Sequence, residues 1–309
     1  MKIVFMGTPD FSVAALESLY NAGHEIAAVV TQPDKKKGRG EKMQFPPVKE
    51  MALKLGLKVY QPAKVRDEEF VNILKEIAPD VIVVIAFGQI LSKTILEMPK
   101  YGCINVHASL LPKYRGAAPI QWAVIDGEEK TGVTTMQMDV GIDTGDILET
   151  VEIVLDKKET GGSLFDKLSL AGAKLIVQTL ENAEKGLLQP VKQNDEASSH
   201  AKMLNKELGN IDFSKSAVEI ERLIRGLNPW PSAYTGFRGK TLKIWDADVN
   251  DEEYEGNVGE IVDFNKTGFT VKTGKGNLVI NELQLEGKKR MTTDAFLAGN
   301  KLEKGEMLG

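Results

Sequence analysis

The sequence predicts an α/β architecture in which a doubly wound, mostly parallel sheet comes first and a small β-rich domain follows. Three observations predict it. Over the first hundred residues, short apolar runs alternate with segments of helical period. One of those runs, "DVIVVIAFG", is apolar throughout, as suits a central parallel strand covered on both faces. At 309 residues the chain is also too long for one ordinary core, so two domains are expected.

The elements follow in order. "KIVFM" is a buried strand, and Asp10 stands where it can cap the helix "FSVAALESLYNAG", which Gly23 ends. "EIAAVVT" is the second strand and "QPDKKKGRGEKMQF" a polar loop. Pro46 and Pro47 open a helix through Leu55 that Gly56 closes. "LKVYQ" is a short strand, "DEEFVNILKEIA" a helix capped by Asp67, and "DVIVVIAFG" the central strand. A short helix around Ser92 to Glu97 leads into "GCINVHA". This rhythm is Rossmann-like. Next come a helix ("APIQWAVIDG"), two strands ("TGVTTMQMD" and "DILETVEIV") joined by "VGIDTG", and a helix from about Gly162 to Gly186. The polar "LLQPVKQNDEASSHAKML" contains the expected linker. The division is therefore 1–189, a linker at 190–206, and 207–309. The last part has one helix ("SAVEIERLIRGL"), several strands with tight turns, and a short capped helix ("TTDAFLAGN"). A small OB-like β-barrel is expected there.

Composition narrows the function. Apolar content of 42% and charged content of 27% are those of an ordinary globular protein, and no apolar run nears the roughly 20 residues of a membrane helix. The start of the chain has no signal- or transit-peptide character, so a cytoplasmic protein is expected, acting as a monomer away from membranes. Cys103 is the one cysteine, and His24, His107 and His200 are the three histidines. A disulfide within the chain is impossible, and the spacings of zinc motifs are absent, so no metal is expected. With a net charge of −5, a nucleic-acid partner must be met by local basic patches.

Two features carry chemistry. Asn105 and His107 are two apart on a strand, so both face one side at its carboxyl end, where open α/β sheets form their ligand crevice. The other is "MDVGIDTGDI", in which Gly141 and Gly145 flank Asp143. Each has a plain structural explanation, a hydrogen-bonded polar pair in one case and a turn cap in the other. Together they form a set suited to acyl-type transfer to an amine: two donors for a developing oxyanion, and a carboxylate to set the imidazole's charge.

"NVHASLLPKYRGAAPIQWA" with "GIDTGDI" resembles the formyltransferase family that uses 10-formyltetrahydrofolate. The resemblance implies catalytic roles for Asn105, His107 and Asp143. It makes Ser109, Leu110, Leu111 and Pro112 the folate-contacting turn. It sets the pterin against Phe87, Gly88, Gln89, Ile90 and Leu91, and against the loop carrying Asp139, Gly141 and Ile142. "KIVFMGTPDFSVAALESL", "TQPDKKKGRG", "PWPSAY" and "GKKRM" are similar, over the whole length, to members whose acceptor is a charged initiator methionyl-tRNA. The alternative within the family is an amino-sugar nucleotide acceptor. Outside it stand a catalytically dead RNA-binding protein and a nicotinamide-dependent dehydrogenase. The Gly7-Thr8-Pro9-Asp10 turn lacks the glycine fingerprint of the latter.

The loop "DKKKGRGEKMQFPPVK" is the remaining informative stretch. Lys35, Lys36, Lys37, Arg39 and Lys42 outnumber Asp34 and Glu41. Such a run is ordinarily a solvated loop. It leaves the carboxyl end of the second strand, though, where cations can meet the phosphates of an acceptor stem. The resemblance implies that use, with Arg39 as the key contact because its fork suits phosphates and base edges. Lys288, Lys289 and Arg290 form a second patch, either an exposed turn or a contact to the tRNA backbone. Arg115 is either a contact to acceptor phosphates or a helix cap. Trp230, in "NPWPSAY", is expected to pack rather than stack on a base, and Cys103 to be a small buried hydrophobe.

Overall fold

The structure, a computed structural model, describes residues 1–37 and 42–309. It divides into two compact units. The first comprises Met1–Pro119, Lys130–Val154 and Phe165–Ala201, and the second Ile120–Glu129, Leu155–Leu164 and Lys202–Gly309. The division at Ala201 falls inside the expected linker. Two short segments before residue 189 cluster with the second unit.

The chain begins with β1 (Lys2–Gly7), α1 (Val13–Asn21), β2 (Glu25–Val30), the strands β3 (Lys35–Lys37) and β4 (Lys42–Gln44), α2 (Pro47–Lys54) and β5 (Val59–Tyr60). Then come α3 (Glu68–Ile77), β6 (Val81–Ile85), α4 (Lys93–Leu96), β7 (Cys103–His107), β8 (Arg115–Gly116) and α5 (Pro119–Ile125). They are followed by β9 (Lys130–Gln137), β10 (Ile147–Val154), α6 (Gly161–Glu184) and β11 (His200–Ala201). Seven strands form one sheet in the order β10-β9-β7-β6-β1-β2-β5. Strands β7, β6, β1, β2 and β5 run parallel, while β9 is antiparallel to β7 and β10 to β9. The sheet is therefore mixed. Strand order reverses between β1 and β6, which opens a crevice at their carboxyl ends.

The expected central strand is buried along its whole length, because helices cover both faces. Phe70, Val71 and Leu74 of α3 pack with Val4, Val30, Ile82 and Val84. Two expected caps differ. Asp10 opens a 3-10 turn (Asp10–Ser12), and Ser12, at the N-cap position of α1, makes no capping bond but donates its hydroxyl to Ile85 O at 2.7 Å. Asp67 stands at the N-cap of α3 without a side-chain capping bond. The polar loop after β2 differs too: β3 and β4 pair antiparallel, Lys35 opposite Gln44.

The second unit holds α7 (Ala217–Gly226), β12 (Ala233–Phe237), β13 (Lys240–Asn250), β14 (Ile261–Phe264), β15 (Phe269–Lys272), β16 (Asn277–Leu285), β17 (Met291–Thr292) and α8 (Thr293–Gly299). A capping box of Ser216 and Glu219 starts α7. Arg238 and Gly239 both have positive φ, which gives β12 and β13 the tight turn a hairpin favours. The sheet is antiparallel in the order β12-β13-β16-β15-β14, with β17 beside β16. Among the described residues, β12 and β14 do not pair, so no barrel closes through strand pairing. The chain's last residues bond to both edges instead: Ile261 N of β14 to Glu306 O at 2.8 Å and Gly309 N to Gly236 O of β12 at 3.0 Å.

Phe269 lies in the core of this unit with Ile244, Leu283 and Phe296. Phe269→Ala is expected to cost about 3–5 kcal/mol, read from the denaturant midpoint of this unit at an unchanged slope. No helix among the described residues is long and apolar enough to cross a membrane.

Candidate active site

The site grows from the end of β7. That strand lies between β6 and β9 and is buried throughout, so its polar side chains must find partners. Asn105 is 9% exposed and His107 6%. The turn after the strand is tied down from below. Thr134 of β9 donates its hydroxyl to Ser109 O at 2.7 Å and accepts from Leu111 N at 3.1 Å. Ser109 Oγ donates to Lys113 O at 2.6 Å.

This turn brings the Tyr114 carbonyl to His107 Nε2, 2.8 Å away. A carbonyl can only accept, so Nε2 carries the hydrogen. Nδ1 is then the ring atom left for another partner, and it lies 3.6 Å from Asp143 Oδ2. That spacing is an ion-pair distance rather than a hydrogen bond.

Asp143 reaches this place through a tightly wound loop between β9 and β10. Its own φ is 56°, and its Oδ2 accepts from Gly116 N at 2.8 Å. Asp139 Oδ1 accepts from Gly141 N at 2.9 Å and Thr144 Oγ1 at 2.7 Å. A Cβ on Gly141 would sit 2.0 Å from Thr144 Oγ1, and one on Gly145 1.7 Å from Gln137 O. The glycines are required by close approach, and neither has a positive φ.

The structure thus brings His107 and Asp143 together and puts Asn105 on the same strand face as His107. The other predicted positions divide. Ile90 and Ile142 are exposed apolar side chains. Phe87 and Leu91 are buried in the core, so any ligand would meet them only through backbone. Phe87 O accepts from Thr8 Oγ1 at 3.0 Å and from Gln32 Nε2 at 3.2 Å. Gln89 is tied to Val65 N at 2.7 Å and Pro62 O at 3.2 Å. Gly88 has a φ of 82°. In the turn after β7, Leu110 and Pro112 keep partly exposed surface, while Ser109 and Leu111 are buried.

Arg115 neither caps a helix nor stands free for phosphate: it donates to Gln193 Oε1 at 3.0 and 2.8 Å and to Asp195 Oδ1 at 2.8 Å. Cys103 is buried, which pushes its thiol up to about 12, so it is chemically quiet as expected. Trp230 is more than half exposed and is not the packed residue the sequence suggested. A hollow of about 530 Å³ lies at the opposite end of β7, by Tyr101, Ile104 and Leu148, and no predicted site residue lines it. Among the described residues, no group of three or more His, Cys, Asp or Glu side chains is placed to hold a metal ion.

Of the basic stretch, Lys35 is described and exposed. Arg39 and the side chains of Lys36, Lys37 and Lys42 lie outside the described residues. The base of the hairpin is fixed. Lys49 Nζ bonds Asp34 at 2.6 and 2.8 Å and Gln61 Oε1 at 2.7 Å. Lys49, and after it Gln61, holds the Asp34 carboxyl below its ordinary value. A lowered folded-state value means the contribution is complete above the unfolded value of about 4 and fades as pH falls through the folded one. Acid should loosen this hairpin base below about pH 4. Lys49→Met should flatten that limb in a pH series of hydrogen-exchange protection across 32–61. Lys288 and Lys289 are exposed. Arg290 pairs with Glu282, and its guanidinium lies 4.9 Å from the Trp245 ring centroid.

Sequence reasoning missed the backbone partners at Tyr114 and Gly116, and it missed Gln193. The buried Gln193 amide donates to Asp143 O at 2.9 Å and Gly145 O at 2.7 Å. A glutamine in a polar stretch leaves no local signal, since its burial is decided by β10 and β8.

Residues 1–180 match the family described as formyl transferase, and residues 203–301 match the formyl transferase C-terminal domain. A methionyl-tRNA formyltransferase of Lachnospira eligens is 60% identical over 314 residues, covering 100% of both chains. One from Clostridioides difficile is 54% identical over 309 residues, again covering 100% of both. Among solved structures, the sugar 3N-formyl transferase WlaRD shares the fold, with a TM-score of 0.69 at 22% identity, covering 94% of this chain and 99% of that one. The chain belongs to the formyl transferase family.

Proposed function

We infer that this protein transfers a formyl group from 10-formyltetrahydrofolate to the α-amine of charged initiator methionyl-tRNA, for translation initiation. The carrying observation is the pairing of buried His107 with half-buried Asp143 on the strand face that also carries Asn105, at the carboxyl edge of a sheet in a chain that matches methionyl-tRNA formyltransferases end to end.

The amine nitrogen bonds to the formyl carbon, the bond from that carbon to folate N10 breaks, and one proton passes from the amine to N10. Asn105 donates its amide to the oxyanion that develops on the formyl oxygen. His107 adds a second donor through Nδ1, since Nε2–H is committed to Tyr114 O. Asp143 offsets the ring's charge when Nδ1 holds a proton, and it assists removal of the amine proton. Leu110 and Pro112, in the turn after β7, offer apolar surface for the folate, and Ile90 and Ile142 for the pterin. Gly88 and Gly141 let backbone approach it, with Asp139 fixing the loop. The basic stretch from Lys35 to Lys42 holds the acceptor stem.

We assign catalysis to 1–189, linking to 190–206 and tRNA contact to 207–309, with Lys288 and Lys289 on the phosphate backbone. Antiparallel strands whose two edges both bond the C-terminal residues support an OB-like barrel there. In this account the enzyme works as a cytoplasmic monomer and needs no metal.

The test is formyl transfer to charged initiator tRNA set beside transfer to an amino-sugar nucleotide. Rapid transfer to the tRNA alone is expected; transfer to the sugar alone would refute the assignment.

A further inference from the structure

Gln193 has no role in the chemistry described so far, yet it is 6% exposed and fully engaged. Its Nε2 donates to the carbonyls of Asp143 and Gly145 at 2.9 and 2.7 Å, one on each side of Thr144. Its Oε1 accepts from Arg115 Nε at 3.0 Å and Nη2 at 2.8 Å. The orientation of this amide is forced. Carbonyls only accept and a guanidinium only donates, so a flipped amide would lose every bond and face like against like.

Its position on the chain is fixed as well. Val191 and Ile147 exchange both backbone bonds at 2.8 Å, just before Gln193. Eight residues after Gln193, Ala201 pairs with Gly116 in the β8–β11 ladder, and Ser199 Oγ accepts from Tyr114 N at 2.9 Å. The stretch from 191 to 201 thus grips both partners of the catalytic pair: the Tyr114–Gly116 backbone that holds His107 and Asp143, and the loop that carries Asp143.

We propose that Gln193 is a positioning residue for the formyl-transfer site, holding Asp143 beside His107 Nδ1 through the Asp143 and Gly145 carbonyls with Arg115 as its clamp. The physical need is clear. A non-glycine residue at φ 56° is held only where its surroundings over-determine it, and Gln193 supplies two of the bonds that do so. The inference rests on the catalytic assignment of Asp143.

The test uses the full-length enzyme with charged initiator tRNA and 10-formyltetrahydrofolate. Gln193→Met keeps the volume and removes all four bonds. Its kcat should fall about 10- to 100-fold, because a carboxylate displaced by about 1 Å costs that much. KM for the tRNA should stay near the wild-type value, and the loss should fall on kcat more than on KM for the folate, since the group displaced is the Asp143 carboxylate. In an Asp143→Ala background, Gln193→Met should cause no further loss of kcat. Gln193→Glu guards against a folding failure: it keeps the Arg115 clamp but cannot donate, and it should lose kcat likewise.

An unchanged kcat, or an equal loss in both backgrounds, would overturn the proposal. So would collapse of both variants in thermal unfolding, which would make Gln193 merely structural. Full activity of Asp143→Ala alone would overturn the catalytic assignment, and this inference with it.

Discussion

Asn105→Ala should lower kcat for formyl transfer by about 10²–10³, with the Kd for charged tRNA nearly unchanged. The side chain is almost fully buried at the end of β7, so tRNA phosphates cannot reach it and its loss is felt only where charge develops on the formyl oxygen. Removing one preorganised donor from such a low-dielectric site typically costs about 3 kcal/mol of transition-state stabilisation. His107→Asn should fall at least as far, because it also removes the ring nitrogen that faces Asp143. The double variant should lose less than the product of the two, since both donors serve one oxyanion. Single-turnover transfer with pre-bound tRNA separates the chemical step from binding. Loss of tRNA affinity with an intact chemical step would place Asn105 in recognition instead.

The basic stretch gives the second large effect, on KM rather than kcat. With about four phosphate contacts, log affinity for tRNA should fall against log salt with a slope near −3 from this segment alone. Arg39→Ala should remove about one unit of that slope and raise the KM for tRNA far more than it alters transfer to a small amine. Equal damage to both reactions would mean the segment supports the fold. Asp34, which opposes these cations in the sequence, is paired with Lys49 at 2.6 Å, so it offsets them less than the sequence count implies.

Much of this was legible in the sequence, for reasons that differ by element. The run "DVIVVIAFG" announced β6 because a strand covered on both faces has no polar side to display. The two-residue spacing of Asn105 and His107 fixed a shared face, because side-chain alternation in a strand is local geometry. What stayed hidden depends on distant partners. Asp10 looked like a cap, but it opens a 3-10 turn, and Ser12, which follows, gives its hydroxyl to Ile85 O on a distant strand. Gly141 and Gly145 looked like turn residues, while their necessity comes from Thr144 Oγ1 and Gln137 O. The polar stretch after residue 186 read as a linker because nothing within it shows that Val191 pairs with Ile147 or that Gln193 is buried. The antiparallel strands of the second unit were visible from alternation and turns, whereas nothing in them shows that the two edge strands do not pair or that the last five residues bond beside them.

One measurement tests the central claim most directly: a crystal structure of the enzyme with an unreactive formyl-folate analogue. The account predicts the formyl oxygen about 2.7–3.1 Å from Asn105 Nδ2, with His107 Nδ1 and Asp143 on its flank and the pterin against Ile90 and Ile142. A formyl group seated at the other end of β7, in the hollow by Tyr101, Ile104 and Leu148, would contradict it.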